Sequence, residues 1–528
     1  MHWDRAGRLE SQWLRAACMS EVPNGLEVPP SAERPVRASA TIMLSREGHD
    51  GIEVMLCHRV NELPAFPGYW AFPGGGISRI DRIASEKLLG DFENEELAAS
   101  LIGMMRELLE EIGWVIDDGK LLVANTESRN AVLESKENWL LEVINGKLPF
   151  NPSELSLFGR RTTPNFAPIR FDNRFLHFHA GPASIIPEPV LSGQTEFDSV
   201  RWDTPRNFLK EWRGNKIKIP PPVISILEEL EKSLDSNGED ITSAIEQQKS
   251  NTGERTIFFA YGVECIPVPT HTLPPASTTN TYILGVGHEH IIVDAAARTK
   301  EGLDNISRAI DRINENGGYV SSLLYTHRHL DHIGDINELQ KLGPFKIMCS
   351  AETAEFLPCD VDRILVDGDV IELSSEVHSQ SWKVLVTPGH CPGHICLHSE
   401  AGLVAGDMVA GIGTILIPPN EGNMENYITQ LERLKELRPH LMFPSHGVVL
   451  PLPEKTLGDY IFHRRRRHDL VLESVSMGTN DLDSIANFAY SDTPNAHPVL
   501  SKQQTLSHLL SHVRGGKVIK RQEGWYPL

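Results

Sequence analysis

Between residues 326 and 332 the chain reads Thr326-His327-Arg328-His329-Leu330-Asp331-His332, directly after the short apolar run 322–325. The segment therefore offers three imidazoles and one carboxylate as potential metal ligands within a few residues. Such a run just past the end of a strand can converge on a small volume, because the strand fixes where the loop starts. We expect a strand followed by a metal-binding loop.

Three further turns carry a histidine or an aspartate directly after an apolar run. They read Thr387-Pro388-Gly389-His390, Ala405-Gly406-Asp407 and Phe443-Pro444-Ser445-His446-Gly447. All of these side chains are expected at strand exits, where loops carry chemistry on a rigid scaffold. Imidazole and carboxylate ligands suit Zn(II) best, with Fe or Mn as alternatives.

This pattern resembles the metallo-beta-lactamase fold, an αββα sandwich, and the resemblance covers about residues 256–453. It implies a dinuclear centre in which Asp407 bridges two metals. The first metal would be held by His327, His329 and His390, and the second by Asp331, His332 and His446. A water between two such cations becomes hydroxide near neutral pH and attacks a carbonyl or a phosphorus, and Asp331 could orient it as a catalytic residue. His394 is expected to be structural or, as an alternative, substrate-facing.

A bridging Asp407 is similar to the glyoxalase and ribonuclease branches of that superfamily, whereas true beta-lactamases lack it. Antibiotic hydrolysis is therefore not expected. The segments 279–285 and 421–437, the pair His463-Arg464 and a C-terminal winged helix resemble the lactamase-like endoribonuclease family. The same subgroup includes glyoxalase II-type enzymes and thioesterases that act on carrier-bound acyl chains.

The last segment, 454–528, has three helix-like stretches, then Gly515-Gly516 and the basic run 517–521. This order predicts a small winged-helix domain. Its densest positive patch is 464–467, four consecutive arginines. We expect a solvated helix face with one arginine packed against the metal domain. The alternative is that Arg464 and Arg467 bind a substrate phosphate of RNA or coenzyme A.

Near the N-terminus, residues 106–114 read Arg-Glu-Leu-Leu-Glu-Glu-Ile-Gly-Trp. On a helix, Glu107 meets Glu110 and Glu111 on one face. Three carboxylates beside a substrate phosphate suit Mg(II) or Mn(II). The run resembles the second half of a Nudix box, which implies Glu110 and Glu111 as catalytic residues in an α/β/α sandwich.

The upstream half of the box is less regular, because Asp81 stands where a Nudix box has Glu and an insertion follows it. The insertion and the segments 163–175 and 202–205 resemble the coenzyme A diphosphatase branch of Nudix proteins. This resemblance covers about residues 36–230.

The length of 528 residues predicts several domains in a mixed α/β chain. We expect an N-terminal extension at 1–35, a Nudix-like domain at 36–230, a polar linker at 231–255, a metallo-beta-lactamase-fold domain at 256–453 and a winged helix at 454–528. A net charge of −21 disfavours indiscriminate nucleic-acid binding. The sequence has no apolar run long enough to predict a membrane span. Its seven scattered cysteines, without a Cys-x-x-Cys pair, indicate a reducing, cytoplasmic environment.

The leading interpretation is a bifunctional metal-dependent hydrolase of unknown oligomeric state. Its dinuclear site would cleave a thioester or a phosphodiester, and its Nudix module would cleave a nucleoside-diphosphate-linked substrate such as coenzyme A. One alternative is a single-stranded RNA endoribonuclease whose Nudix module binds or trims nucleotide ends. A second alternative makes the Nudix domain a non-catalytic ligand sensor.

Overall fold

The computed structural model describes residues 22–23, 26, 34–90, 92–191, 196–238, 240–250, 255–375 and 379–528. Most of the predicted extension 1–35 and the residue Cys18 lie outside these ranges. Of the two compact units in the chain, the first spans Glu33–Phe258 and the second contains Phe259–Leu528. Among the described helices, none combines the length and the apolar composition that a membrane crossing needs. The six described cysteines are unpaired.

The first unit is built on a seven-stranded sheet and seven α-helices. Its strands are β1 (Val36–Gly48), β2 (Gly51–Arg59), β3 (Trp70–Ala71), β4 (Gly74–Gly76), β5 (Trp114–Asp117), β6 (Lys120–Val123), β7 (Ser156–Thr162), β8 (Arg170–Pro182) and β9 (Phe197–Asp203). Its helices are α1 (Arg79–Leu89), α2 (Glu95–Ile112), α3 (Thr126–Glu134), α4 (Asn138–Ile144), α5 (Pro205–Arg213), α6 (Pro221–Asn237) and α7 (Ile241–Ser250). Five strands lie in the order β3-β2-β1-β8-β7, with β4 paired to β1 and β9 to β2, while β5 and β6 form a separate hairpin.

Helix α2 is the main helix packed on this sheet. Asn94 caps its first turn by accepting a hydrogen bond from the amide of Leu97, and Gly113 ends it with a φ of +79°, where a side chain would be strained. Ile102 and Leu109 are fully buried in the same core as strand β1. The carboxyl-terminal half of the helix, which carries the predicted Nudix glutamates, is therefore held rigidly against the sheet.

The stretch 231–255, expected to be a linker, is largely helical where it is described. Helix α6 extends to Asn237, and α7 follows from Ile241 to Ser250. Leu230 and Leu234 on α6 and Ile241 and Ile245 on α7 are buried. Each pair is spaced four residues apart, which is enough to give a polar helix one apolar stripe. The overall polarity of the stretch concealed that spacing.

The second unit contains a seven-stranded sheet in the order β10 to β16 and a five-stranded sheet in the order β17 to β21. The strands are β10 (Phe258–Ala260), β11 (Val263–Pro269), β12 (Thr278–Leu284), β13 (Glu289–Val293), β14 (Tyr319–Leu324), β15 (Lys346–Cys349), β16 (Arg363–Ile364), β17 (Val370–Leu373), β18 (Gln380–Val386), β19 (Ile395–Ser399), β20 (Gly402–Gly406), β21 (Met442–Pro444), β22 (Val518–Arg521) and β23 (Gly524–Pro527). The helices are α8 (Lys300–Glu315), α9 (Ile336–Leu339), α10 (Ala351–Ala354), α11 (Met424–Glu436), α12 (Pro453–Ser476), α13 (Leu482–Ala489) and α14 (Pro498–Arg514).

One helix layer lies on each of the two large sheets. Helix α8 shares a core with strands of the seven-stranded sheet, and α11 shares one with β20 and β21 of the five-stranded sheet. The strands β14, β18, β20 and β21 end just before the predicted metal-binding turns. The prediction of a mixed α/β chain with several domains is confirmed.

Helices α12, α13 and α14 are followed by the hairpin β22–β23, in the order expected from the sequence. Val471, Ile485, Leu509, Val518 and Trp525 form a small core that joins the three helices to the hairpin. The assignment of this segment as a winged helix stays a prediction.

Three imidazoles lie close together in this C-terminal segment, and they should make its stability depend on pH. Burial lowers the pKa of His468 to about 4, and burial also lowers the pKa of His508 and His512 from 6.5. Because the folded state then binds fewer protons than the unfolded chain, the free energy of unfolding should fall as the pH drops below about 6.5.

Replacing His508 with leucine should flatten this dependence. Urea unfolding of the segment, followed at about pH 7 and about pH 5, measures it. The exposed His463 on the same helix as His468 provides the control His463→Leu, which should keep the wild-type pH dependence. If the free energy of unfolding changed equally with pH in wild type and in His508→Leu, the buried imidazole of His508 would not be a source of the pH dependence.

Candidate metal centre

The seven side chains predicted as metal ligands are all buried in the second unit, and they converge. They fall into two sets of potential ligand atoms, which a third set of Asp294, His327 and His332 links, and within each set the atoms lie no more than 4.8 Å apart. One set is His327, His329, His390 and Asp407, and another is Asp331, His332 and His446. The structure thus brings every residue of the predicted dinuclear site together.

Asp407 lies between the two sets. Its Oδ2 is 3.7 Å from Nε2 of His390 and 3.5 Å from Nε2 of His332, and its Oδ1 is 3.7 Å from Nε2 of His446. Both oxygens are buried, and within the described part of the chain neither accepts a hydrogen bond. A buried carboxylate without donors is costly unless a cation compensates it. The donor set therefore fits divalent cations on both sides of Asp407.

Two of the imidazoles are oriented by backbone carbonyls. Nδ1 of His390 donates to the carbonyl oxygen of Leu416 at 2.9 Å, and Nδ1 of His446 donates to that of Thr278 at 2.9 Å. Because the carbonyl can only accept, each Nδ1 carries the proton and each Nε2 faces the centre, where Nε2 of His390 lies 3.0 Å from Nδ1 of His329. This tautomer is the one that binds a metal ion.

Asp294, which the sequence reasoning missed, holds the loop that carries the histidine run. Its carboxylate accepts hydrogen bonds at 2.7 Å from both the amide and the hydroxyl of Thr326, and it also lies 2.9 Å from Nδ1 of His332. These bonds orient His332 and occupy the carboxylate, so Asp294 is a partner of ligands rather than a ligand. Asp294 follows β13 as Asp407 follows β20, and this shared pattern could have revealed it.

Glu421 is a second residue that the sequence did not single out. Its Oε1 lies 2.8 Å from Nε2 of His329, and its Oε2 accepts from the guanidinium of Arg328. Burial works to raise the pKa of Glu421, but the bonds from His329 and Arg328 outweigh it and lower that pKa. With Nε2 engaged in this way, His329 presents Nδ1 to the centre. Glu421 stands some ninety residues from His329, so local spacing gives no signal for the pair.

His394 has both ring nitrogens engaged inside the protein. Its Nδ1 lies 2.8 Å from the hydroxyl of Thr387, and its Nε2 accepts from the amide of Asp407 at 3.0 Å. Gly406 has a φ of +51°, and a Cβ there would come within 2.4 Å of Nε2 of His394. These contacts match the structural alternative for His394 and leave no ring nitrogen for a substrate.

The carboxylates dominate the electrostatics of the centre. Burial alone would lower the pKa of His446, but Asp407 and Asp331 raise it to about 9. The same two carboxylates raise the pKa of His332 against the effect of its burial. Without metal, the site would therefore take up protons, and metal binding must release them.

Residues 274–446 match the family model described as the metallo-beta-lactamase superfamily. The chain carries a metallo-beta-lactamase domain. This match agrees with the two sheets, the strand-end loops and the His/Asp cluster of the second unit. The match supports the prediction of a metallo-beta-lactamase fold in this part of the chain, and the His/Asp cluster lies where that prediction places metal ligands.

Two curated relatives illustrate what the domain is similar to. The "Atrochrysone carboxyl ACP thioesterase" of Aspergillus fumigatus is 29% identical over 199 residues, which are 37% of this chain and 58% of that protein. The "Beta-lactamase-like protein 2 homolog" of Caenorhabditis elegans is 26% identical over 231 residues, 41% of this chain and 72% of that protein. The chain thus spans little more than half the length of the first of these relatives.

One solved structure of another class shows a weak likeness to this chain. A NUDIX hydrolase from Alicyclobacillus acidocaldarius matches 40% of this chain and 97% of its own length, with 26% identity and a TM-score of 0.34. This TM-score is too low to assign the fold of either unit.

The arginines considered for phosphate binding have protein partners beside the metallo-beta-lactamase domain. Arg464 is buried, and its Nη2 donates to the carbonyl oxygen of Ile415. Arg467 donates to Asp492 and Thr493. The burial of Arg464 agrees with the expectation that one arginine of this run packs against the metal domain. Neither guanidinium is left exposed to a ligand as a free cation.

In the first unit, the carboxylates predicted for a Nudix site surround the buried Arg106. The guanidinium contacts Asp81 through two nitrogens at 2.7 and 3.0 Å. It also donates to Glu107 at 2.9 Å and to Glu110 at 2.8 Å. Lys136 lies 3.7–3.8 Å from the same two glutamates. One buried cation therefore offsets part of the repulsion among these carboxylates.

Glu111 takes a separate position from that ion-pair cluster. Its Oε2 accepts from the amide of Glu196 at 3.0 Å. Burial raises the pKa of Glu111 to about 7, and the carboxylates of Glu196 and Glu107 add to the rise. The structure thus places Glu107, Glu110 and Glu111 near one another on one helix. Of the three, Glu111 is the one without a bond to Arg106, and its surroundings disfavour the ionised carboxylate.

Removing the charge of Glu421 should weaken metal binding, because its carboxylate orients His329. We expect Glu421→Gln to lower the affinity of the metallo-beta-lactamase domain for Zn(II) by about 10- to 100-fold, as measured by competition with a chromogenic chelator. Glu436→Gln on helix α11 is the control and should bind zinc like the wild type. Wild-type affinity in Glu421→Gln would show that this carboxylate does not orient a ligand.

Proposed function

We propose that the metallo-beta-lactamase domain is a dinuclear metal-dependent hydrolase that cleaves an acyl thioester. The observation that carries the proposal is the position of Asp407, with both carboxylate oxygens buried between two sets of imidazoles. His327, His329 and His390 would hold one cation, and Asp331, His332 and His446 the other. Asp407 would face both.

Divalent cations in this place would supply Lewis acidity toward a carbonyl oxygen and would lower the pKa of bound water. The chain itself would supply the geometry. Carbonyl oxygens engage His390 and His446 and carboxylates engage His329 and His332, and the buried loops keep bulk water out of the cluster. Asp331, whose Oδ2 lies 3.7 Å from Nε2 of His446, would orient a water molecule beside the second cation.

A thioester is the substrate class that we favour. Hydrolysis adds water across the C–S bond and yields a carboxylic acid and a thiol, and the thiolate leaves readily because its conjugate acid is a moderately weak acid. One relative is named as an acyl-carrier-protein thioesterase. A small acyl thioester, on coenzyme A or on a carrier, is consistent with that relative.

For the first unit we propose a Nudix-type pyrophosphohydrolase that takes a nucleoside-diphosphate-linked substrate such as coenzyme A. Support comes from the carboxylates of Glu107, Glu110 and Glu111 on one rigid helix and from the sequence pattern around them. Mg(II) or Mn(II) would bind among these oxygens and the substrate phosphates. The two active sites would then act on opposite ends of an acyl-coenzyme A.

Single-stranded RNA cleavage, the alternative for the dinuclear site, gains no support from the C-terminal segment. Arg464, Arg466 and Arg467 contact protein oxygens, so the arginine run does not form an unpaired phosphate-binding stripe. Single-stranded RNA is therefore the comparison substrate for the dinuclear site. Turnover of coenzyme A by the first unit would exclude the alternative that this unit is a non-catalytic sensor.

Loss of His327 should abolish thioester hydrolysis. Purified protein with Zn(II) should release thiol from acetyl- or longer acyl-coenzyme A, as followed with a thiol-reactive dye, and His327→Ala should be slower by about 100-fold or more. The variant His288→Ala, which changes an exposed histidine of the same unit, is the control. If no acyl thioester is cleaved while single-stranded RNA is, the thioester proposal is wrong.

The second activity should depend on Glu110. We expect Mg(II)- or Mn(II)-dependent conversion of coenzyme A to 4'-phosphopantetheine and adenosine 3',5'-bisphosphate, detected by mass spectrometry. Glu110→Gln should reduce this rate by about 100-fold or more, and Glu95→Gln, at the exposed start of the same helix, should not change it. Intact coenzyme A after prolonged incubation with wild type would support a non-catalytic role instead.

A further inference from the structure

The carbonyl oxygen that orients His390 belongs to Leu416, in the short segment 415–417, here called the Leu416 segment. This contact fixes the tautomer of His390, with Nδ1 2.9 Å from the oxygen. A peptide carbonyl has no side chain to hold it in place. Its direction is set by the two peptide units on either side, and so by whatever holds Ile415 and Ile417.

Both neighbours of Leu416 are held by side chains from the C-terminal helices. Arg464 on α12 donates to the carbonyl oxygen of Ile415. On α14, Gln504 accepts from the amide of Ile417 through Oε1 at 3.3 Å, and Ser507 donates to its carbonyl oxygen at 2.5 Å. Every one of these side chains is buried. Three polar groups thus hold one residue on each side of the carbonyl.

Apolar and polar contacts extend this grip. The side chain of Leu416 packs in a small cluster with Leu273, and Val499 and Leu500 at the start of α14 cover it. The hydroxyl of Tyr460 on α12 accepts from the amide of Ala410 at 3.0 Å, close to Asp407 in the chain. The helices therefore contact the loop at several points between the end of β20 and the Leu416 segment.

We propose that Arg464, Gln504 and Ser507 are positioning residues of the metal centre, which fix the Leu416 carbonyl and through it the imidazole of His390. This rests on the proposed function of His390 as a metal ligand. The C-terminal helices would then help to shape the metal site. This role would also explain why one arginine is buried in a run that resembles a phosphate-binding patch. The ring of Tyr427 beneath Arg464, 5.4 Å from the guanidinium carbon, supports that orientation of the arginine.

The test measures the metal site of the full-length protein directly. Ser507→Ala and Gln504→Ala each remove one bond to Ile417. Each should lower the affinity for the Zn(II) beside His390 by about 10-fold in competition with a chelator. Each should also change the visible absorption spectrum of the Co(II)-substituted protein, because the ligand field at His390 shifts. The expected kinetic signature is a lower kcat with a nearly unchanged KM.

Matched controls separate positioning from general packing. Ser501→Ala and Gln503→Ala lie on the same helix and have no bond to the Leu416 segment, so both should keep the wild-type affinity and spectrum. Ser507→Thr retains the hydroxyl and should recover most of the affinity lost in Ser507→Ala. Circular dichroism identifies any variant that fails to fold, and the Gln504 and Ser507 variants test the same contact independently.

The outcomes distinguish this proposal from the one on which it rests. If wild type binds no Zn(II), the metal centre itself is refuted. If wild type binds Zn(II) but folded Ser507→Ala and Gln504→Ala keep its affinity and its Co(II) spectrum, the positioning role is refuted and the metal centre stands.

Discussion

The second unit depends on one buried charge, the carboxylate of Asp407. Its oxygens are buried, and the imidazole nitrogens around them lie 3.5–4.0 Å away without donating a hydrogen bond to them. Such a group cannot stay ionised and buried unless cations approach it, so the surrounding ligands must be held open for metal ions rather than allowed to collapse onto it. The carbonyl of Leu416 and the carboxylates of Asp294 and Glu421 do this, since each engages the far side of an imidazole.

These outer contacts explain why so much of the unit is committed to the centre. The strands β14, β18, β20 and β21 bring their ends together, and the loops beyond them supply ligands. Those loops contain little secondary structure of their own, so contacts with other parts of the chain hold them in place. The C-terminal helices contact the loop after β20 through buried Arg464, Gln504 and Ser507. The proposed metal binding and the packing of these helices would therefore be coupled.

The ligands could be predicted from the sequence because each follows an apolar strand run, so local spacing carried the information. Asp294 obeyed the same rule but stood alone, and Glu421 depends on a contact across some ninety residues that spacing does not encode. The arginine run showed the limit of charge patterning, since four adjacent helical residues point in all directions and only the fold decides that Arg464 is buried. The region after residue 230 looked like a linker because its few apolar residues were diluted among charges, although their four-residue spacing marks a packed helix face.

The central claim is that Asp407 separates two metal ions. Anomalous diffraction from crystals grown with Zn(II) tests it most directly. Two peaks per chain are expected about 3.5–4 Å apart, one beside His327, His329 and His390 and the other beside His332 and His446, with the carboxylate of Asp407 between them. A single peak at full zinc occupancy, or two peaks with Asp407 turned away from both, would contradict it.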